Sequence, residues 1–187
     1  MQIKVKQHGN QIEIICKTES KMRKIIFQGK YLTLTVEEIN GHLYERVRLR
    51  PGLKIIAENQ GKFLFIKEFR THEKAARWKL VSGWLDKEGK TPLEVAQEEL
   101  REEVSYRANK WKLFYRRQTP NHTIELDTYY FVAQDLATLP PQTNPDSDRV
   151  EKIAWLTAEE IKQKLRQREI DWDEDMAVML MYLEEEG

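Results

Sequence analysis

The chain has 187 residues, of which 40% are apolar and 10% aromatic. That suits one globular domain with a small appendage and excludes a disordered or low-complexity chain. Lys plus Arg and Asp plus Glu both number 31, so no global positive field exists, which argues against a nucleic-acid partner.

The single Cys16 excludes an intramolecular disulfide framework and fits a reducing compartment. It lies in the apolar run IEIIC and reads as a buried structural thiol. The opening MQIKVKQHGN lacks the apolar centre of a signal peptide. No apolar run approaches the roughly 18 residues of a membrane span. These features predict a cytoplasmic protein with no membrane partner.

In chain order, apolar alternation over 3–5 and 12–15 brackets a turn at His8-Gly9-Asn10 and predicts a β-hairpin. A second hairpin joins 31–36 to 44–49 across Asn40-Gly41, and a third joins 53–58 to 62–69 across Asn59-Gln60-Gly61. Further strands are predicted at 112–117, 125–133 and 151–156. Thr91-Pro92-Leu93-Glu94 combines a capping box with proline at the first helical position. Leu93, Ala96, Leu100 and Val104 then form one apolar stripe, predicting a helix over 91–104. Thr157-Ala158-Glu159-Glu160 opens a second helix, and a third is expected at about 173–185. The stretch LPPQTNPDSD from Leu139 to Asp148 reads as a loop. The fold class is α+β, with a mixed sheet between helices.

The first helix carries Glu94, Glu98, Glu99, Glu102 and Glu103. At 100° per residue, Glu99 and Glu103 fall about 80–120° to one side of the apolar stripe, one turn apart, while Glu94 and Glu98 take the other flank. Carboxylates stacked at this spacing suit a hard divalent ion that takes oxygen ligands. A solvated acidic face is the competing reading of the helix alone.

The residues before this helix resemble the Nudix hydrolase family, whose signature is G-x5-E-x7-R-E-U-x-E-E-x-G-U, with U apolar. Gly83, Glu99, Leu100, Glu102 and Glu103 match it. The flanks are similar to the ADP-ribose pyrophosphatase branch. LVSGWLD and EGKTPLEVAQEEL resemble that branch's PAGxxDxGETPxEAAxREL, and FIKEFR over 65–70 resembles its VxQxR strand. The resemblance covers about residues 30–185. It implies a Nudix fold over 51–187, with a small β region over 1–50 that serves as a dimerisation element, since members of the branch are commonly homodimers.

The chain departs from the signature at several positions. One extra residue lies between Gly83 and Thr91, and Lys90, Glu98 and Ser105 stand where the signature has glutamate, arginine and glycine. Lys79 stands where the branch usually has glutamate. In the family the box arginine pairs with acidic neighbours. A cation at 90 and an anion at 98 would make the same contact with its ends exchanged.

Carried over position by position, the resemblance implies Mg²⁺ or Mn²⁺ held by Glu99 and Glu103 with the main-chain carbonyl of Ser82, and Glu102 serving a second metal or orienting a water. It implies a small-molecule substrate in which a nucleoside diphosphate is linked to another moiety, such as ADP-ribose. Arg70 would contact the diphosphate, with Arg46 and Arg48 as further phosphate candidates, and Trp84 would cover a base or sugar. The general base would come from the late loop, from Asp148 ahead of Asp146 and Glu151. His122 is a further catalytic candidate. Two readings compete with a hydrolase: a Nudix-fold protein that has lost hydrolysis and binds a nucleotide, RNA or protein partner, and an unrelated α+β interaction domain.

Overall fold

The computed structural model describes residues 2–8, 11–18, 21–70, 73–120, 122–140, 150–170 and 174–185. Gly9 and Asn10 of the first predicted turn, most of the 139–148 loop including Asp146 and Asp148, and the side chain of Cys16 lie outside the described residues. Two compact units result, one of residues 1–51 and 117–127, the other of 52–116 and 128–187.

The first unit contains β1 (Gln2–His8), β2 (Gln11–Thr18), β3 (Lys21–Gln28), β4 (Leu32–Ile39) and β5 (His42–Leu49), in that order in an antiparallel sheet, with β11 (Ile124–Glu125) parallel to β5. The turn between β4 and β5 is Asn40-Gly41, with φ of 53° and 79°. Two positive φ values identify the primed turn that matches strand twist, and Asn-Gly tolerates both. Strand β3 was not among the predicted strands. One face of this sheet buries charge. Arg46 pairs with Glu37, and Glu125 accepts from Arg23 at 2.9 Å and Arg48 at 2.8 Å.

The second unit is built on β6 (Gly52–Asn59) and β7 (Lys62–Arg70), followed by β8 (Ala75–Lys79) and β9 (Val81–Trp84). The β6–β7 hairpin pairs only beside its turn, at Glu58–Phe63 and Asn59–Lys62, and then opens. Past that point β6 takes β9 antiparallel and β12 (Asp127–Thr138) parallel, while β7 takes β8 and β13 (Val150–Thr157), both antiparallel. Strand β10 (Tyr106–Gln118) neighbours β12 and runs from this unit into the other. Helices α1 (Pro92–Val104), α2 (Ala158–Arg166) and α3 (Glu174–Glu185) complete it.

Both faces of β6 and β7 are covered, which is why LKIIAE and FLFI read as nearly unbroken apolar runs. Leu53, Ile55, Ala57, Leu64 and Ile66 pack with Val95, Ala96, Leu100 and Val104 of α1. The intervening Ile56, Phe63 and Phe65 pack with Ile161 and Leu165 of α2 and with Met176, Met179 and Tyr182 of α3. Full burial of a side chain such as Leu100 contributes about 1.5–3 kcal/mol. The chain is therefore α+β, with a mixed sheet between helices. No helix among the described residues is long and apolar enough to cross a membrane.

Candidate metal and substrate site

Helix α1 starts where its sequence directs. The Thr91 hydroxyl accepts from the Glu94 N–H at 3.3 Å, and the Glu94 carboxylate accepts from the Thr91 N–H at 2.7 Å, with Pro92 at the first helical position. These bonds hold the Glu94 carboxyl below its ordinary value. That glutamate is a cap. The helix ends at Ser105 in the left-handed region, φ 56° and ψ 42°, which accounts for glycine at this point of the signature.

Strand β9 delivers Gly83 directly under the helix. A Cβ on Gly83 would lie 2.5 Å from Cγ and 2.6 Å from Cδ of Glu99, so only glycine leaves room for that carboxylate. Burial pushes the Glu99 carboxyl up, with Lys87 opposing. One turn on, burial pushes Glu103 up to about 7, against the pull of Lys79. The Ser82 N–H donates to Glu103, yet Oε2 of Glu103 is buried with no hydrogen-bond partner. In an antiparallel ladder the N–H and C=O of one residue point to the same edge, so the Ser82 carbonyl lies on the edge that its N–H shares with Glu103.

Lysines occupy the rest of the cluster. Lys90 Nζ lies 2.6 and 2.7 Å from the two oxygens of Glu98, the exchanged ion pair anticipated from the signature. Lys87 Nζ lies 3.1 Å from Glu98, 3.5 Å from Glu99 and 3.3 Å from Glu102. These bonds hold Glu98 below its ordinary value, and the three carboxylates raise Lys87 although burial pulls it down. Lys79 pairs with Glu68 at 2.7 Å and reaches Ser82 Oγ at 3.5 Å. Lys87 was missed in the sequence; its signal was the extra loop residue, which sets two lysines before an acidic helix.

The other predicted positions scatter. Arg70 ends β7, 3.6 Å from Glu73, and lines a cavity of about 10 Å³ with Trp78, Lys79 and Asp175. Trp84 ends β9, 45% exposed. Glu151 is exposed on β13. Arg46, Arg48 and His122 belong to the first unit, where Glu37 holds Arg46 and Glu125 holds Arg48. A larger cleft of about 230 Å³ is lined by Lys90, Glu94, Gln97, Glu98 and Arg101, and neither Glu99 nor Glu103 contributes to it.

Among the described residues no three His, Cys, Asp or Glu side chains stand at metal-ligand spacing. The donor set implied by the resemblance is two carboxylates, Glu99 and Glu103, and the Ser82 carbonyl. That set fits Mg²⁺, which takes one or two carboxylates and completes its shell with water and substrate phosphate. The orphaned oxygen of Glu103 is the group such an ion would satisfy.

Known proteins agree with this frame. The chain is 28% identical over 166 residues to a curated "ADP-ribose pyrophosphatase" from Bacillus subtilis (strain 168), covering 85% of this chain and 88% of the relative. A solved structure titled "Crystal structure of ADP compounds hydrolase" superposes with a TM-score of 0.69 at 16% identity, over 92% of this chain and 98% of the other. A "NUDIX hydrolase from Nitrosomonas europaea" superposes with a TM-score of 0.57 at 19% identity, over 71% and 87%. At these identities the two structures speak for the fold alone. The NUDIX domain profile matches residues 49–176, more than half of the chain, and with the glycine strand, the capped helix and its glutamates in place, this chain belongs to the NUDIX family and is a Nudix-type pyrophosphohydrolase.

Proposed function

We propose that the protein is a divalent-metal-dependent hydrolase of a nucleoside diphosphate linked to a second moiety, of the ADP-ribose or sugar-nucleotide type. The observation that carries this reading is Glu103, whose Oε2 is buried with no hydrogen-bond partner, one turn from a second carboxylate seated on a glycine. Burying a carboxylate oxygen with no hydrogen-bond partner is costly, and a cation held by Glu99, Glu103 and the Ser82 carbonyl would remove that cost. The similarity to an ADP-ribose pyrophosphatase supports the substrate class.

When bound, Mg²⁺ or Mn²⁺ neutralises the diphosphate and lowers the pKa of a water. The residues of this chain do the rest. Gly83 keeps Glu99 in place, and the Ser82 N–H orients Glu103. Arg70 supplies a fork suited to the diphosphate, and Trp84, on the same strand as Gly83, offers its ring to the base or sugar. Asp148 takes the proton of the attacking water. Glu102 orients water through its carboxylate. Residues 1–50 serve as the dimerisation element of a cytoplasmic homodimer; Ile26, Phe27, Leu43 and Tyr44 there are exposed apolar side chains, as a self-association surface requires.

One observation favours a second reading, a Nudix-fold nucleotide binder with impaired hydrolysis: the Lys87 ammonium already neutralises Glu98, Glu99 and Glu102. A hydrolysis screen of ADP-ribose, NADH, sugar nucleotides and nucleoside triphosphates with Mg²⁺ and Mn²⁺ separates the two. Turnover of a diphosphate-linked compound supports the enzyme. Binding without turnover supports the binder.

A further inference from the structure

We propose that Lys87 is a resident cation of the α1 carboxylate cluster, standing where a second divalent ion would sit, so that the chain binds one ion and not two. This rests on the metal-dependent reading above and specifies it. Three carboxylates from different residues surround one ammonium at 3.1, 3.5 and 3.3 Å. A divalent ion linking Glu99 to Glu102 would lie about 2.0–2.6 Å from each oxygen, in space that Nζ now fills, and would meet its positive charge.

The placement is built into the loop. Lys87-Glu88-Gly89-Lys90 forms a turn in which the Lys90 N–H donates to the Lys87 carbonyl at 3.3 Å and Gly89 has φ of 78°. Positive φ at the third position is the type II arrangement that favours glycine. This turn lies in the loop that is one residue longer than the signature, and it turns both lysines onto one helix. The helix needs them, because Glu98 replaces the cation that the signature places among these glutamates. Lys90 takes both oxygens of Glu98 from the outer side. Lys87 takes the inner position, shared with Glu99 and Glu102. Its ion pairs do not include Glu103, so the Glu103–Ser82 edge is left for the single ion.

The test is Mn²⁺ stoichiometry on the metal-stripped full chain, read from the electron paramagnetic resonance signal of free Mn²⁺. The parent binds one Mn²⁺ per chain. Lys87→Met binds two, Lys87→Gln gives a second measure of the same gain, and Lys87→Arg, which keeps the charge, stays at one. Two ions in the parent, or one ion in both neutral variants, overturns the assignment of Lys87 alone. No Mn²⁺ bound by the parent or the neutral variants overturns the metal-dependent reading and this inference with it.

Discussion

Replacing Glu103 by Gln should change stability in opposite directions with and without metal. In the metal-free chain burial pushes this carboxyl from an ordinary value of 4.5 to about 7. A group whose pKa is raised by folding contributes fully below its unfolded value and loses that contribution as pH rises through the folded value. The parent should therefore lose stability between about pH 4.5 and pH 8. At about 1.4 kcal/mol per pH unit the difference comes to about 3 kcal/mol. Glu103→Gln keeps the size and removes the charge, so in EDTA at pH 8 it should be more stable than the parent by up to that amount, and the gain should vanish near pH 4. Metal reverses the order. Binding to the native state alone contributes RT ln(1 + [L]/Kd), about 1.4 kcal/mol at a tenfold excess over Kd and about 2.7 at a hundredfold excess. The parent should gain this at pH 8 and the variant should not. Urea unfolding at pH 5 and 8, with EDTA or Mn²⁺, measures all four corners. A variant less stable than the parent in EDTA at pH 8, or equally stabilised by Mn²⁺, would refute the reasoning.

Other substitutions test other links. Ser105→Gly relieves a left-handed serine and should stabilise the chain by about 1 kcal/mol in denaturant melts. Gly83→Ala places a methyl within 2.5 Å of Glu99 and should abolish the Mn²⁺-dependent rise in melting temperature while the protein still folds. Lys90→Glu sets like charges together and should destabilise, by about 0.5–1 kcal/mol at this partly exposed pair. Adding Glu98→Arg should restore part of the loss, because the pair is then exchanged back while the new guanidinium stands beside Lys87. For Glu125, burial raises its carboxyl but the bonds from Arg48 and Arg23 outweigh it and lower it. Its contribution should be present above pH 4.5 and fall away in more acid solution, and Arg48→Met should flatten that acid loss in urea titrations.

The parts legible in the sequence were those fixed by local chemistry. Asn40-Gly41 and Gln60-Gly61 both adopt positive φ, as two-residue hairpin turns demand, and both capping boxes close in both directions. The stripe on α1 is buried at Ala96, Leu100 and Val104 and partly buried at Leu93, with Val95 buried beside it, which puts Glu99 and Glu103 beside the core as the helical angles required. What escaped depends on distant partners. KMRKIIFQ shows no clean alternation and becomes β3 only because β2 and β4 flank it. The short β8 and β9 exist because the opened β6–β7 hairpin leaves edges to pair with. Arg46 alternates with Arg48 like a phosphate-binding pair, but Glu37 sits diagonally across the neighbouring strand and holds it. Lys87 reads as loop charge until the turn at Gly89 aims it at the helix.

The central claim is tested most directly by the products formed from ADP-ribose with Mn²⁺ by the parent, Glu103→Gln and Glu94→Gln. Cleavage of the diphosphate adds one water and yields AMP and ribose 5-phosphate. The account predicts Mn²⁺-dependent release of AMP by the parent, at least a hundredfold less by Glu103→Gln, of the order expected when a main electrostatic contact is removed, and a rate close to the parent for the capping-residue variant Glu94→Gln. Equal losses in both variants, or AMP release undiminished by EDTA, would contradict it.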